Sequence, residues 1–301
     1  MMKIAYLILA HENPRLLERM IRALSCRWCA FFVHIDRKSD LDDFRLADAE
    51  AVYLSNERIE VYWAEYSMVE AILLLLLQAL ECPTRYDYFV LLSGSDYPIK
   101  PNEYIQRYIA TRAGTQFVSM ARIPNGAAGL PLSKITALSF SRRRRLLYSA
   151  ARALTRLGLN NRDYTKALDG LEPYGGSTWW ALSRDAARYV VTFAQSNPRV
   201  CRFFAHSETP DETFFHTILG NSPYAKPLHR SLTYDDWSHG GLHPAPVTER
   251  HIAAFRSEGK ATLSDAFGPG EMLFARKFSD HRLDLVESVD EMIKQTEYAY
   301  E

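Results

Sequence analysis

Glu212, the pair Arg276-Lys277 and the turn Ser93-Gly94-Ser95-Asp96 are the residues whose types and spacing bear chemistry. Glu212 closes the run Thr209-Pro210-Asp211-Glu212, in which Thr209 suits an N-cap, Pro210 the first helical position and the acids the first turn. That is an ordinary helix start. It also aims a carboxylate rigidly, and such a group can take a proton from a hydroxyl as a general base. Arg276-Lys277 is flanked by Phe274 and Phe278. Two adjacent cations in an apolar setting are costly to bury without an anion. A diphosphate satisfies both, with Arg as a fork and Lys as a point charge; a surface pair snorkelling beside a hydrophobic anchor is the other reading. Asp96 ends an apolar run in a small polar turn. Where a nucleotide is held through a divalent metal at such a strand end, an Asp-x-Asp usually provides the ligands. Here the first acidic position is missing, so something other than a metal is expected to neutralise the diphosphate.

The elements that must position these groups follow from periodicity. Residues 3–10 form an apolar, β-rich run, read as a first buried parallel strand. His11-Glu12-Asn13-Pro14 is a turn, with Asn13 as N-cap and Pro14 at the first helical position. Leu16, Leu17, Met20, Ile21 and Leu24 then recur at helical spacing. Strands are expected at 30–35, 50–54, 59–62, 88–92 and 117–120, and helices at 67–80, 102–112, 184–196 and 284–298, with another beginning at Thr209. The 67–80 helix is apolar on most sides and should be deeply buried. Alternating strands and helices through about residue 120 predict an α/β fold, a doubly wound, mostly parallel sheet with helices on both faces. Such sheets bind ligands at the carboxyl ends of their strands. Asp36 and Asp96 both fall there, and His11 follows the first strand, placed to touch a base or ribose or simply to shape the turn.

The chain is read as one domain over 1–301: a nucleotide-binding half at 1–120, a basic loop and helix insertion at 121–170, and an acceptor and catalytic half at 171–301. Within the insertion, 142–162 is strongly basic, and Leu146, Leu147, Ala150, Leu154 and Leu157 share one helical face. A basic amphipathic helix of this kind is either a solvated helix packed on the domain or a contact for an anionic membrane surface or acidic acceptor.

The bulk numbers exclude more than they assign. Lys+Arg and Asp+Glu are both 36, so no global field points to nucleic acid. The apolar run at 71–80 is too short to span a bilayer. No signal segment precedes the first strand, so a cytoplasmic location is expected. Cys26 and Cys29 have redox or zinc spacing, but no second close pair follows; a zinc or redox protein is a competing class. The remaining histidines show no metal-ligand spacing, and the Walker, Gly-x-Gly-x-x-Gly and nucleophile-elbow motifs are absent.

Taken in order, several blocks resemble the core-2/I-branching β-1,6-N-acetylglucosaminyltransferase and peptide xylosyltransferase family. They are Ile4-Ala-Tyr-Leu-Ile-Leu-Ala-His11, Val33-His-Ile-Asp36-Arg-Lys-Ser39, Val61-Tyr-Trp-Ala-Glu-Tyr-Ser67 and Leu91-Leu-Ser-Gly-Ser-Asp96-Tyr-Pro-Ile-Lys100. Gly175-Gly-Ser-Thr-Trp-Trp180, Pro210-Asp-Glu-Thr-Phe-Phe-His216, Leu232-Thr-Tyr-Asp-Asp-Trp237 and Leu273-Phe-Ala-Arg-Lys-Phe278 complete the set. The resemblance implies a GT-A-like fold, a UDP-sugar donor, inversion at the anomeric carbon and no required metal; the expected acceptor is a glycan, free or lipid-linked. By the same resemblance, Glu212 is the catalytic base, Arg276 and Lys277 carry the diphosphate, and Asp36 and Asp96 border the nucleotide. Thr178, Trp179, Trp180 and Trp237 are candidates for the acceptor and sugar wall; the tryptophans equally suit core packing.

Two departures qualify the match. Xylosyltransferase relatives carry an acid where Thr178 stands, and the branching enzymes place a further Arg near the point held by Ala245. Eukaryotic members also carry an anchor, stem and disulfides; without these, a bacterial-type enzyme is expected, cytoplasmic or peripheral at the inner face of the membrane. The competing functional reading is a catalytically inactive nucleotide-sugar-binding protein.

Overall fold

The computed structural model describes residues 2–44, 46, 51–141, 143–241, 243–257 and 261–297. Three expectations touch positions outside these: residue 50 of the 50–54 strand, Arg142 of the basic stretch and residue 298 of the last helix. In the first half the order is β1 (Ile4–Ala10), α1 (Pro14–Leu24), β2 (Cys29–Ile35), β3 (Val52–Leu54), α2 (Ser67–Glu81), β4 (Tyr88–Ser93), β5 (Asp96–Pro98), α3 (Asn102–Ala110) and β6 (Gln116–Arg122). The middle holds α4 (Ser133–Thr136), α5 (Arg145–Arg156), α6 (Tyr164–Leu168), β7 (Tyr174–Ser183), α7 (Arg184–Ser196), α8 (Pro198–Phe204) and α9 (Phe214–Gly220). Then come β8 (Leu228–His229), β9 (Thr233–Asp235), α10 (Glu249–Ser257), β10 (Thr262–Asp265), β11 (Gly268–Glu271), β12 (Phe274–Arg276) and α11 (Leu283–Glu297).

The main sheet has the order β3-β2-β1-β4-β7-β6-β8. β7 alone is antiparallel to its neighbours β4 and β6; the other pairings are parallel. The expected mostly parallel α/β sheet is present, with its fifth strand, β7, reversed. Side chains alternate along β1: Ile4, Tyr6, Ile8 and Ala10 enter one core with α1, α3 and α11, while Ala5, Leu7 and Leu9 enter the other with α2, α7 and α9. Both faces of the sheet are therefore covered, which explains the near-continuous apolar runs of β1, β2 and β4. A small sheet, β5-β12-β9, stands at the carboxyl end of β4.

Several local expectations change. α1 is not capped by Asn13, whose φ of 60° is left-handed. Asp280 caps it across the chain instead, accepting from Arg15 N at 3.1 Å and Leu16 N at 2.7 Å. Residues 59–62 form no strand, because side chains take their backbone donors. Ile59 N donates to His34 Nε2, Val61 N to Asp36 Oδ2 and Tyr62 N to Ser67 Oγ. α2 is deeply set as expected: Val69, Ala71, Ile72, Leu75, Leu76 and Ala79 are buried, Met68, Leu73, Leu77 and Leu80 pack half-buried against the same core, and Glu70 and Glu81 are exposed. Thr209, at φ 43°, caps nothing; Pro210–Glu212 is a 3-10 turn and the α-helix begins at Phe214.

Candidate active site

The site lies where β4 and β7 part at the carboxyl end of the parallel strands. Their pairing stops at Val90 and Ala181. Beyond it, Ser93-Gly94-Ser95-Asp96 turns the chain into β5. Gly94 is needed here, since a Cβ would press on Ala10 Cβ at 2.9 Å. On the other side, β7 bulges against β6: one residue, Ser119, faces the span between Gly176 and Trp180. A Cβ on Gly176 would overlap the Ser119 carbonyl oxygen, so only glycine lets the strands approach there. Bulges of this kind re-aim side chains. His216 braces this one from below, donating Nε2–H to Ser177 O at 2.8 Å; burial holds its pKa down to about 4, so the ring is neutral.

The bulge turns two adjacent residues toward the two halves of the site. Thr178 donates its hydroxyl to Asp211 Oδ2 at 2.8 Å. Trp179 lays its ring under the Arg276 guanidinium, 4.1 Å from Cζ to the centroid. Arg276 on β12 sits in register with Asp96 of β5 and Asp235 of β9. Its Nε lies 3.3 Å from Asp96 Oδ1, close enough for an ion pair but misaligned for a hydrogen bond. The guanidinium makes a single hydrogen bond among the described residues, a long 3.4 Å one from Nη2 to Ser93 Oγ. This buried cation thus keeps unfilled donors. Burial lowers its pKa, while Asp96 and Asp235 act against that.

Asp96 is fully buried and satisfied from within: Ser93 N and Ser93 Oγ donate at 2.8 and 2.6 Å. Burial raises its pKa, opposed by Arg276 and Ser93. Its evident work is to hold Arg276 and the turn. Lys277 follows, half-buried, and its Nζ has no hydrogen bond or ion pair among the described residues. Burial lowers its pKa first and Arg276 second. Its backbone is fixed, since Val247 N donates to Lys277 O at 2.9 Å and Phe278 N to Ser95 O at 2.9 Å. Ala245, two residues before Val247, ends at its Cβ and adds no cation.

Across the bulge, Glu212 is part-exposed and ion-paired with Lys134 Nζ of α4, which also donates to Thr209 Oγ1 at 3.1 Å. Asp211 beside it is buried, and its Oδ1 has no hydrogen-bond partner among the described residues. Burial and the Glu212 charge push its pKa up to about 6, against the Thr178 hydrogen bond.

The remaining predicted residues fall in different places. His11 is exposed at the end of β1. Asp36 ends β2 as expected, but both oxygens are engaged, by Lys38 N, Lys38 Nζ and Val61 N. Trp237 is 49% exposed and anchored by Nε1 to Asp235 Oδ2 at 2.8 Å, leaving a face for a ligand. Trp180 departs from the sugar-wall expectation: it is 2% exposed and packs on Phe215 in the core. Trp179, at 7%, is a platform for Arg276 rather than an open face. Cys26 and Cys29 lie at the amino end of β2, at the opposite end of the sheet. Their Sγ atoms are 2.6 Å apart, and among the described residues no group of three His, Cys, Asp or Glu side chains could hold a metal. Lys134 and Asp235 are site residues that the sequence reading leaves out. Asp235 stood within the 232–237 block; nothing in the loop around Lys134 marks it.

A buried arginine, a lysine beside it and, across a bulge, a carboxylate thus stand near the carboxyl ends of the parallel strands. The chain belongs to the Core-2/I-Branching enzyme family, whose model matches residues 4–257. The match stops short of Arg276 and Lys277, whose place is given by β12. Among similar proteins, Xylosyltransferase 2 of Mus musculus is 27% identical over 246 residues, covering 78% of this chain and 27% of that protein. Xylosyltransferase 1 of Homo sapiens is 25% identical over 246 residues, covering 78% and 24%. The chain spans about a quarter of the length of these relatives. The structure of mouse Xyloside xylosyltransferase 1 aligns over 90% of this chain and 97% of that one, at a TM-score of 0.36 and 10% identity, too distant to bear on the site.

Proposed function

We propose that the chain is a GT-A-like, inverting, metal-independent glycosyltransferase that moves a sugar, xylose or N-acetylglucosamine, from a UDP-sugar to a glycan hydroxyl. The observation that carries this reading is the pairing of a buried Arg276 with unfilled donors and an unpaired Lys277 beside it. An anionic leaving group would fill both. Asp96 supports the cationic reading over a metal-held one, since its oxygens are already spent on Ser93 and Arg276.

In the proposed step Glu212 takes the proton of the acceptor hydroxyl. The freed oxygen forms a bond to the anomeric carbon from the face opposite UDP. The bond from that carbon to the diphosphate oxygen breaks, and its electron pair leaves with UDP. Lys277 and Arg276 would stabilise that growing charge, as fixed donors do in a water-poor site. Lys134 positions Glu212, and Trp237 offers a ring to the acceptor. The enzyme would work in the cytoplasm, peripheral at the inner membrane face when its acceptor is lipid-linked. The test is UDP release from UDP-xylose and UDP-N-acetylglucosamine in EDTA, with and without glycan acceptors. Activity in wild type lost by about a hundredfold or more in Glu212→Gln supports the reading. Equal release by both proteins refutes Glu212 as the base, and no release by either, with UDP bound, reduces the chain to a nucleotide-sugar binder.

A further inference from the structure

The most exposed leucines of the described surface are on α5 and in the turn after it. Leu146 is 87% exposed, Leu147 45%, Leu154 43% and Leu157 69%, and Leu159 in the following turn is 70% exposed. At helical spacing the four leucines of α5 and its cap share one stripe, while Arg145, Arg152 and Arg156 share the opposite one. Ala151 is the buried residue of the helix, so packing on the domain accounts for almost none of its apolar side.

Polar ties at the foot hold the helix instead. Asn160 Nδ2 donates to Leu138 O, Ala151 O and Thr155 Oγ1. Arg162 donates to the carbonyls of Ile135, Ala137 and Phe203 and to Ser207 Oγ. The helix is fixed in place with its leucines turned out, which costs free energy in water. From Arg143 through Arg162 the chain carries no acidic residue.

We propose that α5 and the turn after it are a docking surface for an anionic phospholipid membrane. Leucines would enter the acyl boundary while the arginines meet lipid phosphates, the arrangement of an interfacial helix. The charge of the segment selects the occupant: rich in arginine and without an acidic residue from Arg143 through Arg162, it complements an anionic surface. The same insertion carries Lys134, and Arg162 grips the carbonyls at the end of α4, so the docked helix is tied to the residue that holds Glu212. A lipid-linked acceptor would thus arrive on the side of the base.

The test is flotation of the full chain with vesicles of phosphatidylcholine alone and of equal parts phosphatidylcholine and phosphatidylglycerol. It reads lipid binding and needs no transfer activity. The proposal expects binding to the anionic vesicles only, weakened by salt, and about tenfold less binding by Leu146→Ser/Leu157→Ser. Both positions are exposed, so the variant should melt with wild type. No binding, equal binding to neutral vesicles, or equal binding by the variant overturns it. So does sedimentation showing a wild-type dimer that this variant dissociates.

Discussion

Asp211→Asn removes a carboxyl that burial and the adjacent Glu212 charge hold protonated up to about pH 6, against 3.8 for a free aspartate. Between those values the folded chain keeps a proton that the unfolded chain gives up. Wild-type stability therefore falls as pH rises through this window. The gap corresponds to about 3 kcal/mol of cost at neutral pH that is absent near pH 3. Asn keeps an acceptor for the Thr178 hydroxyl and loses the charge. It also places an amide where Oδ1 now has no hydrogen-bond partner among the described residues, a cost of about 1–3 kcal/mol that does not vary with pH. The pH dependence of the difference, not its size at one pH, is thus diagnostic. Urea unfolding of wild type and Asp211→Asn from pH 4 to pH 8 measures it. The variant should gain on wild type by most of that 3 kcal/mol as pH rises. Adding Glu212→Gln to both proteins should shrink the gain, because the second cause of the shift is gone. A difference that stays flat with pH would refute the account of Asp211 as a buried, charge-strained acid.

Other perturbations test the frame around it. Gly176→Ala puts a Cβ into the Ser119 carbonyl and should destabilise by at least about 2 kcal/mol, while Gly126→Ala, with open space around it, should do little; thermal unfolding distinguishes them. Lys134→Met should lower kcat about tenfold with KM for the sugar donor nearly unchanged, since Lys134 orients the base and does not meet the donor. A matching rise in KM would place Lys134 on the donor instead.

Much of the fold was legible because burial leaves a plain record. β1, β2 and β4 are unbroken apolar runs, and α1 shows its buried face at Leu16, Leu17, Met20, Ile21 and Leu24. What periodicity could not show is where backbone donors go. Residues 59–62 have strand composition, yet His34, Asp36 and Ser67 take their N–H groups. Asp280 caps α1 from more than 260 residues away, a partner no local pattern announces. In the site, residue types were readable but partners were not. Trp179 and Trp180 are adjacent and alike in sequence; the bulge sends one under Arg276 and the other into the core. Asp96 was marked by its strand end, but its commitment to Ser93 and Arg276 needed the geometry of β5 and β12. The leucines of α5 were visible as a stripe, and only the structure shows that nothing covers them.

The central claim is that Lys277 and Arg276 do for a diphosphate what a divalent ion would otherwise do. Calorimetric titration of UDP into wild type and Lys277→Ala, each in EDTA and again with manganese, tests it most directly. The account predicts that wild type binds equally well in chelator, and that Lys277→Ala binds roughly tenfold or more weakly under both conditions. Binding that appears only with manganese and is indifferent to Lys277 would contradict it.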